Sequence, residues 1–324
     1  MVIKEIYGGK MKKRYLALSL IILSLVSLFI GVSNVSLLDI LKGNTDKINI
    51  ILISRLPRVI SIIISGMGLS ISGLIMQQIS RNKFTSPTTA GTMDSAQMGL
   101  MFAMIFMPAA GVLSKAVFSF IFALLGSFIF MTILKKIKVK NVIFVPLVGM
   151  MFGNLVSSIT SFVAYSLDMN QSLNAWFQGS FSTVMKGRYE LLYLCIPMMV
   201  LAFIYANKFT IAGMGESFSK NLGLNHDRIV NIGLSLVSAV SALTLVMVGN
   251  IPFIGLIVPN LISMIKGDNL KNSLVDTCLF GASFVLLCDI VGRVIIAPYE
   301  VSIGLTVGVI GSAIFLFLVL RGKK

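Results

Sequence analysis

The chain has 324 residues, of which 56% are hydrophobic and only 12% are charged. A soluble domain carries about 25% charged residues, so this composition excludes a soluble globular protein. The formal net charge of +15 accompanies a mean hydropathy of +0.94. It is therefore attributed to segments that flank membrane-embedded helices, and it does not predict nucleic-acid binding.

Ten apolar segments follow one another along the chain, and most approach the roughly 17–25 residues with which a helix crosses the hydrocarbon core. The sequence predicts an all-α integral membrane protein in which residues 1–324 form a single transmembrane domain. The first segment lacks the small-residue cleavage site of a signal peptide, so we expect a retained helix. The predicted spans are Leu16–Ser33, Val59–Ile79, Thr89–Met107, Val112–Leu134, Val142–Tyr165, Leu191–Ala206, Ile229–Val248, Phe253–Ile265, Leu274–Ile296 and Ile303–Leu320.

Most of the 27 basic residues lie in segments that alternate to one side of the membrane. Cytoplasmic loops carry such an excess, so both termini are predicted to be cytoplasmic. Arg55, Arg58 and Arg293 are exceptions at the outer ends of two spans. They are interpreted either as snorkelling side chains, with Arg293 paired to Asp289 one helical turn away, or as a docking site for an acidic partner.

An almost uncharged segment over 249–260 contains two glycines and two prolines within an apolar region. Broken backbone at membrane depth is tolerated only where protein or a water-filled cavity covers it. The segment therefore indicates a multi-helix channel or transporter rather than a simple membrane anchor.

The fifth predicted span carries a stripe of small and polar residues that includes Asn154, Ser158 and Ser161. Such a stripe serves close helix packing or lines a pathway for a solute. Asp94 in the third span is costly in a membrane unless it is paired or hydrated, so it is a functional candidate.

No nucleotide-binding loop, paired zinc motif or nucleophile elbow occurs in the sequence. We predict no catalytic residue, no metal ligand and no bound cofactor, and energy coupling must come from another chain. Cys195, Cys278 and Cys288 are expected to be buried free thiols. The single histidine, His226, is expected to be solvated in a loop.

Several short motifs, weak alone but specific in their order, resemble the iron-siderophore and vitamin B12 type (FecCD-like) ABC importer permeases between about 36 and 321. The resemblance implies ten transmembrane helices per subunit, in the type II ABC importer permease fold. The motifs are Arg55-Leu56-Pro57-Arg58, Gly66, Gly73, Gln77, Ser86-Pro87, Trp176 with Gly179-Ser180, Gly215-Glu216, Leu222-Gly223, Gly255 to Pro259, Gly267-Asp268, and Pro298 with Glu300.

The resemblance further implies a permease subunit that moves a ferric siderophore across the cell membrane by alternating access. Its partners would be a second permease chain (a paralogue or an identical copy), two cytoplasmic ATPase subunits and an extracytoplasmic siderophore-binding protein. Lys83 and Asn260 replace the proline and histidine that are common in the family. These departures resemble the subset that handles ferric catecholate siderophores such as petrobactin.

The resemblance also implies roles for individual positions. Arg55, Arg58 and Arg293 would meet glutamates of the binding protein. The coupling segment, about 213–228, would sit in a cleft of the ATPase, although its basic amphipathic composition also fits a solvated loop helix. Asn154, Ser158 and Ser161 would line the translocation pathway, with Asp94 as a further candidate and Trp176 in a short helix at the outer gate. The coupling residues are Gly215, Glu216, Phe218, Leu222 and Gly223.

Two other classes of protein remain open from the sequence. A proton-coupled secondary transporter would use Asp94 and Asp289 as a relay and would work without an ATPase. Uptake in a strain without the ATPase distinguishes it from the importer. A membrane-embedded enzyme would need clustered intramembrane His, Asp or Cys residues, and the single histidine is predicted to lie outside the bilayer.

Overall fold

The computed structural model describes residues 13–31, 44–109, 111–137, 144–267 and 269–321. Within these ranges the chain is helical almost throughout, and the only β-type pairing is one isolated bridge between Gln178 and Asn250. The all-α prediction is confirmed. The helices are α1 Lys13–Phe29, α2 Thr45–Ile50, α3 Leu56–Ile79, α4 Thr92–Phe106, α5 Val112–Lys136, α6 Phe144–Ser166, α7 Asn170–Phe177, α8 Cys195–Met214, α9 Glu216–Asn221, α10 His226–Val248, α11 Ile254–Lys266, α12 Leu270–Val294 and α13 Ile303–Arg321.

Six helical stretches in the described ranges are long and apolar enough to cross a membrane, and two shorter apolar helices lie over 254–266 and 303–318. The six stretches match predicted spans, while the count of ten crossings stays a prediction. The end of the first predicted span, the start of the fifth and Asp268 lie outside the described residues. The six are Thr45–Ile79, Val112–Lys136, Phe144–Ser166, Glu190–Met214, His226–Val248 and Leu270–Val294.

The second span is longer than predicted. A continuous helix of 35 residues runs from Thr45 to Ile79, and a π-helical turn over Ile51–Arg55 joins α2 to α3. Charged residues made the first part look like a loop in the sequence. Asn44 caps the helix, because its side-chain oxygen accepts a hydrogen bond from the Lys47 backbone N–H.

The third span is shorter than predicted because residues 80–91 form a largely buried loop. The Thr89 hydroxyl oxygen accepts a hydrogen bond from the Ser86 backbone N–H at 2.8 Å and donates to the Phe84 carbonyl at 3.1 Å. Asn82 Oδ1 accepts from the Phe84 backbone N–H at 2.8 Å. Such side-chain bonds to the backbone compete with helix formation, so α4 begins only at Thr92.

The helix α3 occupies the centre of the bundle, where it packs against α8, α10, α11 and α12. In the most apolar part of Thr45–Ile79, which contains α3, 83% of the residues are buried. In the most apolar part of Glu190–Met214, which contains α8, only 22% are buried. Apolar side chains on α5, α6 and α8 are exposed in the single chain. These outer surfaces require lipid or a partner chain to cover them.

Glycines bring α3 and α11 into backbone contact. A Cβ atom added to Gly73 would lie 1.8 Å from the Gly255 carbonyl oxygen. Pro259 cannot donate a hydrogen bond to that carbonyl, four residues earlier. Gln77 Nε2 donates instead to the Gly255 and Leu256 carbonyls, at 3.5 Å each. A side chain of α3 thus compensates the interruption in α11.

The break that precedes α11 is covered by protein, which is one of the two coverings that the sequence left open. The helix α10 ends at Val248, and the backbone then turns through positive φ angles at Gly249 (89°) and Phe253 (64°). The Asn250 backbone N–H donates to the Phe177 carbonyl at 2.9 Å, and the Ser180 N–H donates to the Val248 carbonyl at 2.8 Å. The segment after α7 therefore satisfies the broken backbone.

The contact between α3 and α11 gives a stability prediction. Gly73→Ala should destabilise the protein by about 1–3 kcal/mol, because the added methyl group forces two backbones apart. The control is Gly308→Ala on α13, where the nearest atom to an added Cβ lies 3.9 Å away. Thermal unfolding in detergent, followed by thiol-dye labelling of the buried cysteines, measures both. Equal unfolding temperatures for the two variants would contradict the packing described.

Candidate functional site

A charged cluster lies where α3, α12 and the connection to α13 meet. The buried Asp289 carboxylate contacts Arg58 Nη2 through Oδ1 and Arg293 Nη2 through Oδ2, at 2.8 Å in both cases. Arg58 Nη1 also contacts the Glu300 carboxylate at 2.8 Å. We call Arg58, Asp289, Arg293 and Glu300 the arginine cluster.

The arginine cluster is tied to the end of α1. Arg293 Nη1 donates to the carbonyls of Ser27, at 3.0 Å, and Ile30, at 2.7 Å. Arg55 Nη1 donates to the Leu28 carbonyl at 2.7 Å. The last carbonyls of a helix lack partners within the helix and attract cations, so these two arginines cap α1.

The structure separates the three arginines that the sequence grouped together. Arg55 and Arg293 are buried, with 6% and 7% of their surface exposed, and Arg58 and Glu300 retain partial exposure. The predicted pair between Asp289 and Arg293 is confirmed, and the docking role stays a prediction. The contact between Arg58 and Glu300 was missed, because 242 residues separate the two in the sequence.

The opposite end of α3 lies near the segment that opens α9. Gly215 has a φ of 126° and Gly223 a φ of 73°, so both turns at the ends of α9 use backbone conformations that favour glycine. A Cβ atom on Gly215 would lie 3.2 Å from Arg81 Nη2. Sequence reasoning did not assign Arg81, which follows α3, to this segment.

A buried serine attaches α9 to its neighbours. Ser219 Oγ donates to the Gly215 carbonyl at 2.7 Å and lies 3.2 Å from the Ile211 carbonyl of α8. The same oxygen lies 3.4 Å from His226 Nδ1, at the start of α10. His226 is buried, so the expectation of a solvated histidine was wrong. It serves as a packing contact between α9 and α10.

The outer side of α9 combines apolar and charged side chains. Met214, Phe218 and Leu222 are exposed. Lys220 contacts Glu216 at 2.8 Å, and its hydrogen bond holds the pKa of the Glu216 carboxyl below the ordinary value. We call these five residues the α9 surface. Exposed apolar side chains on a short polar segment are typical of a contact site for another protein.

The polar stripe of α6 faces away from the bundle. Asn154, Ser158 and Ser161 are exposed, and the Ser158 hydroxyl donates to the Asn154 carbonyl at 2.8 Å. A Cβ atom on the neighbouring Gly153 would lie 2.6 Å from Asp94 Oδ2. The structure therefore places Asp94 behind the stripe, and no ion pair joins it to another described residue.

Trp176 lies apart from the stripe, in α7. Lys115 Nζ lies 4.9 Å from the centre of its ring, which is within range of a cation–π interaction. Both residues line a cleft of about 510 Å³ that also includes Arg188. Lys115 and Arg188 were missed. Lys115 lies within the first turn of an apolar span. A lysine at the end of a predicted span is visible in the sequence and could have identified Lys115 as a candidate.

No group of three or more His, Cys, Asp or Glu side chains suited to a metal ion occurs within the described ranges. The three cysteines are free and buried, as the sequence predicted. The chemistry available at these sites consists of charge pairing, hydrogen bonding and apolar contact, which suits the recognition of partners and solutes.

A bundle of long apolar helices with a protein-covered break and a polar stripe is typical of membrane transport proteins. The model of the FecCD transport family matches residues 19–321, and the chain belongs to this family. It is 57% identical over 313 residues to the petrobactin import system permease protein YclN of Bacillus subtilis, covering 97% of this chain and 99% of that protein.

Two further proteins extend the comparison. The ferric-anguibactin transport system permease protein FatD of Vibrio anguillarum is 39% identical, over 85% of this chain and 87% of its own length. A solved structure described as an inward-facing conformation of a metal-chelate type ABC transporter superposes with a TM-score of 0.80. The sequence identity is 25%, and the superposition covers 95% of this chain and 98% of that one.

The arginine cluster gives a second stability prediction. Asp289→Asn should cost about 3–5 kcal/mol, because it removes the negative charge between two poorly exposed guanidinium groups. The control is Asp227→Asn, since Asp227 and Lys135 form a pair at 2.9 Å with both side chains more than half exposed. Exposed pairs contribute at most about 1 kcal/mol. Unfolding temperatures of the purified variants check the contrast, and similar losses in both would contradict it.

Proposed function

We propose that the chain is the permease subunit of an ATP-driven ABC importer that moves a ferric siderophore, of the petrobactin class, across the cell membrane. The observation that carries this proposal is the 57% identity with a petrobactin import permease over nearly the whole of both proteins. The chain performs no chemistry on its cargo in this proposal, and a separate ATPase supplies the energy.

The proposed topology has ten crossings and cytoplasmic termini. It places the α9 surface inside the cell and the arginine cluster outside. The excess of basic residues on the α9 side of the predicted spans supports this orientation. The location of the two sites at opposite ends of α3 supports their assignment to opposite faces of the membrane.

The proposed assembly contains a second permease chain, identical or paralogous, whose contact with α6 encloses the pathway. The exposure of Asn154, Ser158 and Ser161 in the single chain supports this arrangement. Hydroxyl and amide groups give a bulky anionic solute weak, replaceable contacts, which allow both entry and release. Asp94 would be hydrated from this pathway, and Trp176 would lie at its outer gate.

Alternating access would be driven through α9. Two cytoplasmic ATPase subunits would close on ATP and move the α9 surfaces of the two permeases. Ser219 holds α9 to α8 and to the start of α10, and α10 packs against the central α3. A displacement of α9 would thus reach the break after α10 and the segments that cover it.

The alternative, a proton-coupled transporter, depends on carboxylates that can exchange protons. Asp289 suits this role poorly, since it lies between two arginines. Asp94 has no ion pair in the part of the chain that the structure describes, so it remains the one candidate relay group from the sequence. Uptake that persists without the ATPase would favour this alternative.

The α9 surface gives a prediction on energy coupling. Leu222→Asp and Glu216→Lys should reduce co-purification of the ATPase and siderophore uptake together. An unpaired carboxylate buried in the interface costs several kcal/mol, and a reversed charge opposes the same contact. Both positions are exposed, so the variants should insert and fold normally.

Leu167→Asp is the matched control, because Leu167 is an exposed leucine in the turn after α6, which the proposed topology places on the outer side. It should leave co-purification of the ATPase unchanged. Uptake at the wild-type rate by a Leu222→Asp variant that no longer retains the ATPase would reject ATP-driven import.

The arginine cluster gives a prediction on docking, because Arg58 and Glu300 are its accessible members. Arg293 of the cluster and the neighbouring Arg55 are buried. Arg58→Gln should weaken binding of the loaded siderophore-binding protein, most strongly at low salt, where charges are least screened. Glu300→Gln should strengthen binding, because Glu300 competes for Arg58.

Affinity titrations at several ionic strengths measure these two effects, with Lys220→Gln on the opposite face as the control. The control should bind like the wild type throughout. If Arg58→Gln also does so at every ionic strength, Arg58 has a structural role only.

A further inference from the structure

An apolar groove runs along α10 on the outside of the single chain and encloses about 860 Å³. Small residues of α10, Ser235 and Ala239, form its floor, and Val117 of α5 and Met198 of α8 contribute to its walls. The Ser235 hydroxyl donates to the Asn231 carbonyl at 2.9 Å, so its donor is satisfied within the floor. We call this cavity the α10 groove. It is distinct from the polar stripe of α6.

The groove has the length of a lipid chain. Its lining extends from Arg228 to Leu243, and 15 residues of helix at about 1.5 Å each span about 22 Å. A lipid tail has to extend about 15 Å to pass from the edge of the hydrocarbon core to its midplane, since the core is about 30 Å thick. A single acyl chain can therefore lie along α10 beyond the midplane.

One end of the groove carries an uncompensated positive charge. Arg228 is exposed, and its guanidinium makes no ion pair or hydrogen bond with another residue in the described ranges. Asp227 beside it contacts Lys135 at 2.9 Å, so this acidic charge is already offset. Asn225 Oδ1 accepts a hydrogen bond from the Arg228 backbone N–H, which leaves the Asn225 amide group as a second donor at the mouth.

We propose that the α10 groove holds one anionic phospholipid, with an acyl chain along α10 and the phosphate at Arg228. Basic pockets between transmembrane helices bind anionic head groups, because the phosphate accepts hydrogen bonds while the apolar wall receives the tail. Such a lipid would cover exposed apolar surface on α5, α8 and α10. It would also contact the first turn of α10, directly after the α9 surface.

The test uses the purified full chain in detergent and counts retained lipids by native mass spectrometry after addition of phosphatidylglycerol or phosphatidylcholine. Wild-type protein should retain phosphatidylglycerol preferentially. Arg228→Gln should lower phosphatidylglycerol retention about fivefold, which corresponds to about 1 kcal/mol for one basic residue near the head groups. Retention of phosphatidylcholine should not change.

Two further variants make the test specific. Arg188→Gln removes an exposed arginine outside the groove and should retain both lipids like the wild type. Ala239→Phe fills the floor and should reduce retention of both lipids, while its unfolding temperature confirms that it is folded. Retention of phosphatidylglycerol at the wild-type level by Arg228→Gln, or by folded Ala239→Phe, would overturn the proposal.

Discussion

The structure depends on the buried carboxylate of Asp289. A charge at this depth is tolerated only when it is paired, and Asp289 is paired twice, with Arg58 of α3 and Arg293 of α12. Arg293 also holds the end of α1, and Arg58 holds Glu300 in the connection to α13. One carboxylate therefore joins four parts of the bundle at a single end.

Glycine contacts complete the centre of the bundle at membrane depth. The backbones of α3 and α11 touch at Gly73 and Gly255, where side chains would hold them apart. Gln77 then satisfies the carbonyl that Pro259 leaves free. A broken helix is stable here because the central helix supplies the missing hydrogen bond.

The two ends of the molecule differ in their chemistry. The arginine cluster is a closed network of paired charges, whereas the α9 surface presents unpartnered apolar side chains on a short helix. The charged side chains of the arginine cluster are held by one another. The α9 surface leaves apolar side chains exposed, where another protein can contact them. Between them, α10 connects the α9 surface to the break at Gly249.

The sequence by itself determined the all-α membrane class, the family, the broken backbone over 249–260 and the free cysteines, and it offered the pair between Asp289 and Arg293 as one of two interpretations. These features depend on composition, on ordered motifs or on neighbours one helical turn apart, which a sequence displays directly. It predicted the length of the second span poorly, because charged residues at a membrane boundary also occur within continuous helices.

The tertiary structure alone decided the burial of Arg55 and Arg293, the burial of His226, the contact between Arg58 and Glu300, and the position of Asp94 behind Gly153. It also decided the existence of the α10 groove. Each of these features arises from residues that belong to different parts of the chain. The distance in space between such residues depends on how the helices pack. Hydropathy and spacing along the chain carry no information on the distance between residues of different helices.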